Sequence, residues 1–183
     1  NQTLKTLSFL NEKEKEKKII LVTGHRRENF GDGIKEICLS LIEIEKTFNN
    51  VRIIYPVHLN PNIQNVVKPL LSQSKNIFLT DPLDYFDFVK IMDRSYIILT
   101  DSGGVQEEAP SLGKPVLVLR NKTERPEVIK SGVAKLVGYN KVKIFSHVSE
   151  LLSNNKKYKS MANKINPYGD GKASKIITKI ISE

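Results

Sequence analysis

The chain has 183 residues, 39% of them hydrophobic and 27% charged, which fits one large domain or a compact pair with a real core. Its single cysteine, Cys38, excludes an internal disulfide and suits a reducing compartment, and no apolar run approaches the ~20 residues of a membrane-spanning helix. The net charge of +9 does not argue for nucleic acid, because the lysines are scattered through mixed-sign runs and helical faces instead of forming one stripe.

The N-terminus shows no signal peptide, being polar and then strongly charged. "NEKEKEKK" (11–18) alternates in sign and reads as a solvated lead-in. Regular elements begin at Lys18. "KKIILVT" reads as a buried strand, and "GIKEICLSLIEIEKTF" as a helix with Ile34, Ile37, Cys38, Leu41, Ile42, Ile44 and Phe48 on its apolar face. "VRIIYPV" is a second strand. Asn60 and Pro61 open the next helix as N-cap and first helical residue. "NIFLT" is a third strand, "DYFDFVKIMDR" a helix behind Asp84, and "SYIILT" a fourth strand. "GVQEEAPSLG" is a short helix closed by Gly113, "KPVLVLR" a fifth strand, "RPEVIKSG" a short helix and "VAKLVG" a sixth strand. From about Lys141 the chain is helical and polar, with one break at "NPYGDG".

Alternation of strand and helix predicts an α/β fold, a Rossmann-like doubly wound and mostly parallel sheet with a helical C-terminal tail. Such sheets bind ligands at the carboxyl ends of their strands. The loops that follow strands here are "TGHRRENFGDG", "YPVHLNPN", "TDPLDYFDF", "TDSGGVQEE" and "RNKTERPE", where histidines, arginines, acids and glycines concentrate.

In "TDSGGVQEE", Gly103 and Gly104 let the backbone turn and approach a ligand, and the following helix offers free N–H groups to an anion such as phosphate. Ser102 adds a hydroxyl. Glu107 and Glu108 are either solvated or placed to accept from ribose hydroxyls. The same loop also fits a plain tight turn with Ser102 as helix cap. In the first loop, His25, Arg26 and Arg27 offer paired donors for phosphate and a proton for a leaving group, or form an exposed basic loop tied by Glu28. Arg125 is positioned to close over the same anion, with Thr123 or a residue just after it capping the helix that holds Pro126. Tyr85, Phe86 and Phe88 fit core packing better than a base-stacking platform, and the lone His58 fits a core or cap role better than a ligand contact. The spacing of three histidines and one cysteine matches no metal site, and no cofactor is implied.

Taken in order, "GHRREN", "YPVHLNPN", "DPLDYFDF", "LTDSGGVQEEAPSLGKPVLVLRNKTERPE" and "NPYGDG" resemble the non-hydrolysing UDP-N-acetylglucosamine 2-epimerases from Lys18 to the C-terminus. The resemblance implies one half of a GT-B-like architecture, in which two Rossmann-like domains clasp a nucleotide sugar. Only the second half is matched, so the partners implied are UDP, UDP-N-acetylglucosamine and a missing first domain that carries the acid/base carboxylates. By the same resemblance, His25 assists departure of UDP. Ser102, Gly103 and Gly104 cradle phosphate, Glu108 binds the ribose hydroxyls, Arg125 lies near the nucleotide and Phe88 lies near uracil. Arg26 and His58 resemble contacts to a second, activating UDP-N-acetylglucosamine. The implied division is a lead-in over 1–17, a UDP-binding domain over 18–153 and a helical tail over 154–183, in a cytoplasmic and homodimeric parent that binds neither nucleic acid nor membrane. The chain alone is expected to bind UDP weakly and to turn over nothing. The rival readings are the donor half of a GT-B glycosyltransferase and a non-catalytic nucleotide-sugar-binding module.

Overall fold

The computed structural model describes residues 17–182, and the lead-in expected over 1–17 lies almost wholly outside the described residues. Six parallel strands form one sheet: β1 (Lys18–Thr23), β2 (Val51–Pro56), β3 (Ile77–Thr80), β4 (Ile97–Thr100), β5 (Val116–Val118) and β6 (Ala134–Leu136). Their spatial order is β3-β2-β1-β4-β5-β6. The helices are α1 (Asp32–Thr47), α2 (Pro61–Leu71), α3 (Tyr85–Arg94), α4 (Gly103–Glu108), α5 (Pro126–Ser131), α6 (Lys141–Ser153), α7 (Asn155–Ala162) and α8 (Ala173–Ser182). Each strand element expected from sequence is present, and each pairing is parallel.

The strands are apolar throughout because both sheet faces are covered, and their side chains alternate between two cores. Ile20 and Val22 of β1, Ile97 and Leu99 of β4 and Leu117 of β5 pack with Ile34, Ile37 and Leu41 of α1, Ile63 and Val67 of α2 and Ile144 and Val148 of α6. Ile19 and Leu21, Ile98, Val116 and Val118 face the opposite way, onto Ile91 and Met92 of α3, Val105 of α4 and Val128 of α5. Cys38 lies fully buried in the first core. There desolvation pushes its thiol up to about 12.

The caps behave as the sequence suggests at two helices. The Asn60 side chain accepts from the Asn62 N–H at α2, and the Asp84 side chain accepts from the Asp87 N–H at α3. Two expectations are corrected, and one pair of alternatives is decided. The helix expected to run unbroken to Gly113 gives way at Ala109 to a 3-10 turn (Ala109–Leu112), where Pro110 lacks an N–H to continue the α pattern. Gly113 then closes the turn with φ of 65°. Of the alternatives for the α5 cap, Thr123 or a residue just after it, only the second holds. The N-cap is Arg125, and the Thr123 Oγ1 accepts from the Arg125 N–H and donates to Gln106 Oε1. Tyr85 and Phe86 are not core residues: both are exposed, because they sit on the outer face of α3 opposite Ile91.

Beyond α6 the packing thins. α7 is tied down by Tyr158, whose ring stacks on Tyr96 at 3.9 Å, and by Met161 against the first core. α8 buries no residue, and Ile176, Ile177, Ile180 and Ile181 are all more than half exposed.

Candidate functional site

The strand order places β1 beside β4, with connections leaving to opposite sides of the sheet. That is the switch point at which doubly wound sheets open a crevice above their strand ends. The two strands end level, with Thr23 paired to Thr100 and their hydroxyls 2.6 Å apart. The loops after them, Gly24–Gly31 and Asp101–Ser102, therefore share one ledge.

Asp101 holds the ledge together. It is fully buried, and one carboxylate oxygen, Oδ2, accepts from the backbone N–H of His25 (2.9 Å), the backbone N–H of Arg26 (2.8 Å) and Asn29 Nδ2 (3.2 Å). Asn29, also fully buried, donates a second bond to the Leu119 carbonyl, linking the β1 loop to the end of β5. The other Asp101 oxygen, Oδ1, lies 3.3 Å from His25 Nδ1. Oδ1 is buried without a hydrogen bond among the described residues, so this is a charge contact that operates when the His25 ring is protonated. The His25 ring also stacks on His58 at 5.7 Å, so the end of β2 contributes the second side of its slot.

Two arginines far apart in sequence, Arg26 and Arg125, converge on Gly103. A methyl group at Gly103 would lie 3.8 Å from a terminal guanidinium nitrogen of Arg26 and 3.8 Å from one of Arg125. A methyl there would make ordinary contacts with both, so Gly103 marks the point at the start of α4 where the two cations meet. Arg26 Nε is buried and donates to no described residue. Arg125 Nε donates to Glu107 Oε1, and that carboxylate holds the guanidinium pKa above its ordinary value. Glu107 is thus neither free nor placed for ribose. It is the partner of Arg125.

A further triad stiffens the rim. The Arg120 side chain is 6% exposed and donates to Glu28 Oε1 and Glu124 Oε2, each at 2.5 Å. Its hydrogen bonds hold the Glu124 carboxyl down at about 2. Below them Gln106, fully buried, donates to the Ser102 carbonyl (3.0 Å) and accepts from Thr123. Ser102 stands at the N-cap position of α4 without a capping bond from its side chain, and its backbone N–H donates to Thr100 Oγ1 (3.0 Å). The expected cap is therefore replaced by a free hydroxyl on the cleft.

Of the residues singled out from sequence, His25, His58, Phe88 and Ser102 line one cleft of about 200 Å³ at these strand ends. Arg26, Gly103 and Arg125 form the cationic point beside it. Gly104 and Glu108 are exposed on α4, outside the cleft lining. Sequence reasoning assigned no role to Asp101, Asn29, Gln106 or Arg120. The available signal for Asp101 was an acid directly after an apolar strand, inside a loop already marked by two glycines.

A parallel doubly wound sheet with a cleft opening at its switch point defines a Rossmann-like domain. The profile of the UDP-N-acetylglucosamine 2-epimerase family matches residues 1–182, and the chain belongs to that family. It is 53% identical over 158 residues to the UDP-N-acetylglucosamine 2-epimerase of Escherichia coli K12, covering 86% of this chain and 42% of that protein. The Campylobacter jejuni UDP-N-acetylglucosamine 2-epimerase is 50% identical over 181 residues, covering 97% of this chain and 47% of its own length. The crystal structure of the Neisseria meningitidis UDP-GlcNAc 2-epimerase bound to UDP-GlcNAc superposes with a TM-score of 0.87 at 45% identity, over 98% of this chain and 51% of that one. The chain therefore spans about half the length of the relatives it matches.

Proposed function

We propose that this chain is the UDP-binding half of a UDP-N-acetylglucosamine 2-epimerase, working with a first domain in a GT-B-like pair. The observation that carries the reading is the convergence of Arg26 and Arg125 on Gly103 at the switch point, beside the His25 ring. A diphosphate placed there meets two guanidinium groups and the free N–H groups of α4. That the N. meningitidis relative was solved with UDP-GlcNAc supports the same ligand here.

In the proposed reaction the bond from C1 of the sugar to the diphosphate oxygen breaks, and its electron pair leaves with UDP. A base removes the proton from C2, giving a glycal-like intermediate. UDP then adds back at C1 while a proton returns to the opposite face of C2, yielding UDP-N-acetylmannosamine. The departing diphosphate gains charge, so fixed cations and N–H donors stabilise the transition state more than the ground state. His25 donates to the leaving oxygen, oriented by Asp101 on one side and His58 on the other. Ser102, Gly103 and Gly104 cradle phosphate, Glu108 accepts from the ribose hydroxyls and Phe88 packs beside uracil. Arg26 and His58 also face the position of a second, activating UDP-N-acetylglucosamine. The first domain supplies the acid/base carboxylates, and the parent acts as a cytoplasmic homodimer.

The test is calorimetric titration of the chain with UDP, alongside Arg125→Ala, His25→Ala and Glu108→Ala. Saturable binding that Arg125→Ala weakens by roughly tenfold or more, the scale of a lost charge-assisted contact, is expected. Equal affinity in the wild type and Arg125→Ala would overturn the placement of the diphosphate.

A further inference from the structure

We propose that the loop carrying Asn166 and Tyr168 is a clamp that positions Arg125 for the diphosphate. The inference rests on the nucleotide reading above and names residues outside the cleft as its positioning residues. Arg125 is held from two places. Its backbone is the N-cap of α5, and its guanidinium is paired to Glu107 near the end of α4. Both holding elements are short, six residues each, and α4 changes to a 3-10 turn directly after Glu108. Helices of that length have little intrinsic stability and depend on tertiary ties.

The loop supplies those ties to both elements at once. Asn166 Nδ2 donates to the Glu107 carbonyl (2.9 Å) and to Ser111 Oγ (2.6 Å), joining α4 to the 3-10 turn that follows it. Tyr168 Oη donates to Glu127 Oε2 (3.1 Å) in the first turn of α5, two residues beyond Arg125. Asn166 Oδ1 accepts from the Tyr168 N–H (3.1 Å), so the two ties are set by one turn. Arg125 thus keeps its Nε on Glu107 while its terminal nitrogen stays beside Gly103. Nothing in this clamp touches the 200 Å³ cleft, so its effect on ligand binding passes through the elements it holds, Arg125 and α4.

The experiment uses the full chain as wild type, Asn166→Ala, Tyr168→Phe, Arg125→Ala and the double variant Arg125→Ala/Asn166→Ala. Two readouts are taken. The first is the side-chain Nε–H resonance of Arg125 without ligand, identified by its loss in Arg125→Ala. It is expected to be sharp in the wild type and broadened by Asn166→Ala. The second is UDP affinity by NMR titration, which also reads weak binding. Asn166→Ala is expected to lower affinity about five- to tenfold, the scale of one lost hydrogen bond, with Tyr168→Phe having a smaller effect. In the Arg125→Ala background, Asn166→Ala should cost less than it does in the wild type, because the part of its effect that passes through Arg125 is gone. An unchanged Arg125 resonance in Asn166→Ala, or an equal further loss of affinity in the double variant, overturns the clamp and leaves the nucleotide reading standing. Equal UDP binding by the wild type and Arg125→Ala overturns the nucleotide reading, and the resonance still decides whether the loop positions Arg125.

Discussion

Replacing Asp101 with asparagine changes the site's central support by one charge and almost no volume. In the wild type, Oδ2 accepts three N–H bonds, from His25, Arg26 and Asn29, within a fully buried environment. Asparagine can turn its carbonyl oxygen toward the same three donors, so geometry is kept and charge assistance is lost. A hydrogen bond to a charged group contributes about 1.5–3 kcal/mol and a neutral one about 1 kcal/mol, so three bonds each weaken by about 1 kcal/mol. The expected loss is about 3 kcal/mol. For a chain of this size that lowers Tm by roughly 6–12 °C. Asp101→Ala, which also leaves the buried Asn29 amide short of a partner, should cost more. The assay is urea unfolding followed by circular dichroism, with Cm falling at unchanged m. A loss under about 1 kcal/mol for Asp101→Asn would mean that water satisfies the loop's N–H groups, and the account of Asp101 as the tie between β1 and β4 would be wrong.

Other consequences are as direct. Glu124 titrates at about 2 in the folded chain against an ordinary 4.5, so its contribution is present above about pH 4.5 and is lost as pH falls toward 2. The difference in Cm between the wild type and Glu124→Gln should therefore be level from pH 7 to 5 and shrink below that. A difference as large at pH 3 as at pH 7 would refute the Arg120 pairing. Cys38, buried and pushed up to about 12, should not react with a thiol reagent at pH 8 in the native chain and should react at once in denaturant; rapid native labelling would contradict its place on the buried face of α1. Finally, the purified 183 residues should bind UDP and produce no UDP-N-acetylmannosamine from UDP-N-acetylglucosamine, because the proposed C2 base belongs to the first domain. Steady turnover by this chain would place that base among the residues described here.

The strands and helices were legible because each is short, strongly periodic and bounded by glycine, proline or a capping asparagine or aspartate, and such signals act within a few residues. The parallel sheet followed from their alternation, and the family resemblance from loop motifs lying after each strand. Where local signals misled, a tertiary contact had outcompeted them. Of the two cap readings for α5, the one on Thr123 gives way because its hydroxyl turns to Gln106, 17 residues away. Glu107 reads as solvated or as a ribose acceptor but is claimed by Arg125, 18 residues on.

The working core of the site lay beyond local reading altogether. Asp101 meets His25 and Arg26 across 76 and 75 residues, and this happens only because β1 and β4 are neighbours in the sheet. Arg26 and Arg125 share Gly103 only because β5 follows β4 in space and carries the second arginine's loop to the same edge. The sequence by itself determined which residues would be buried in strands and which chemistry would stand at their ends. The order of the strands in space decided which of those ends would meet, since hydrogen bonds and ion pairs act over a few ångströms and take no account of distance along the chain.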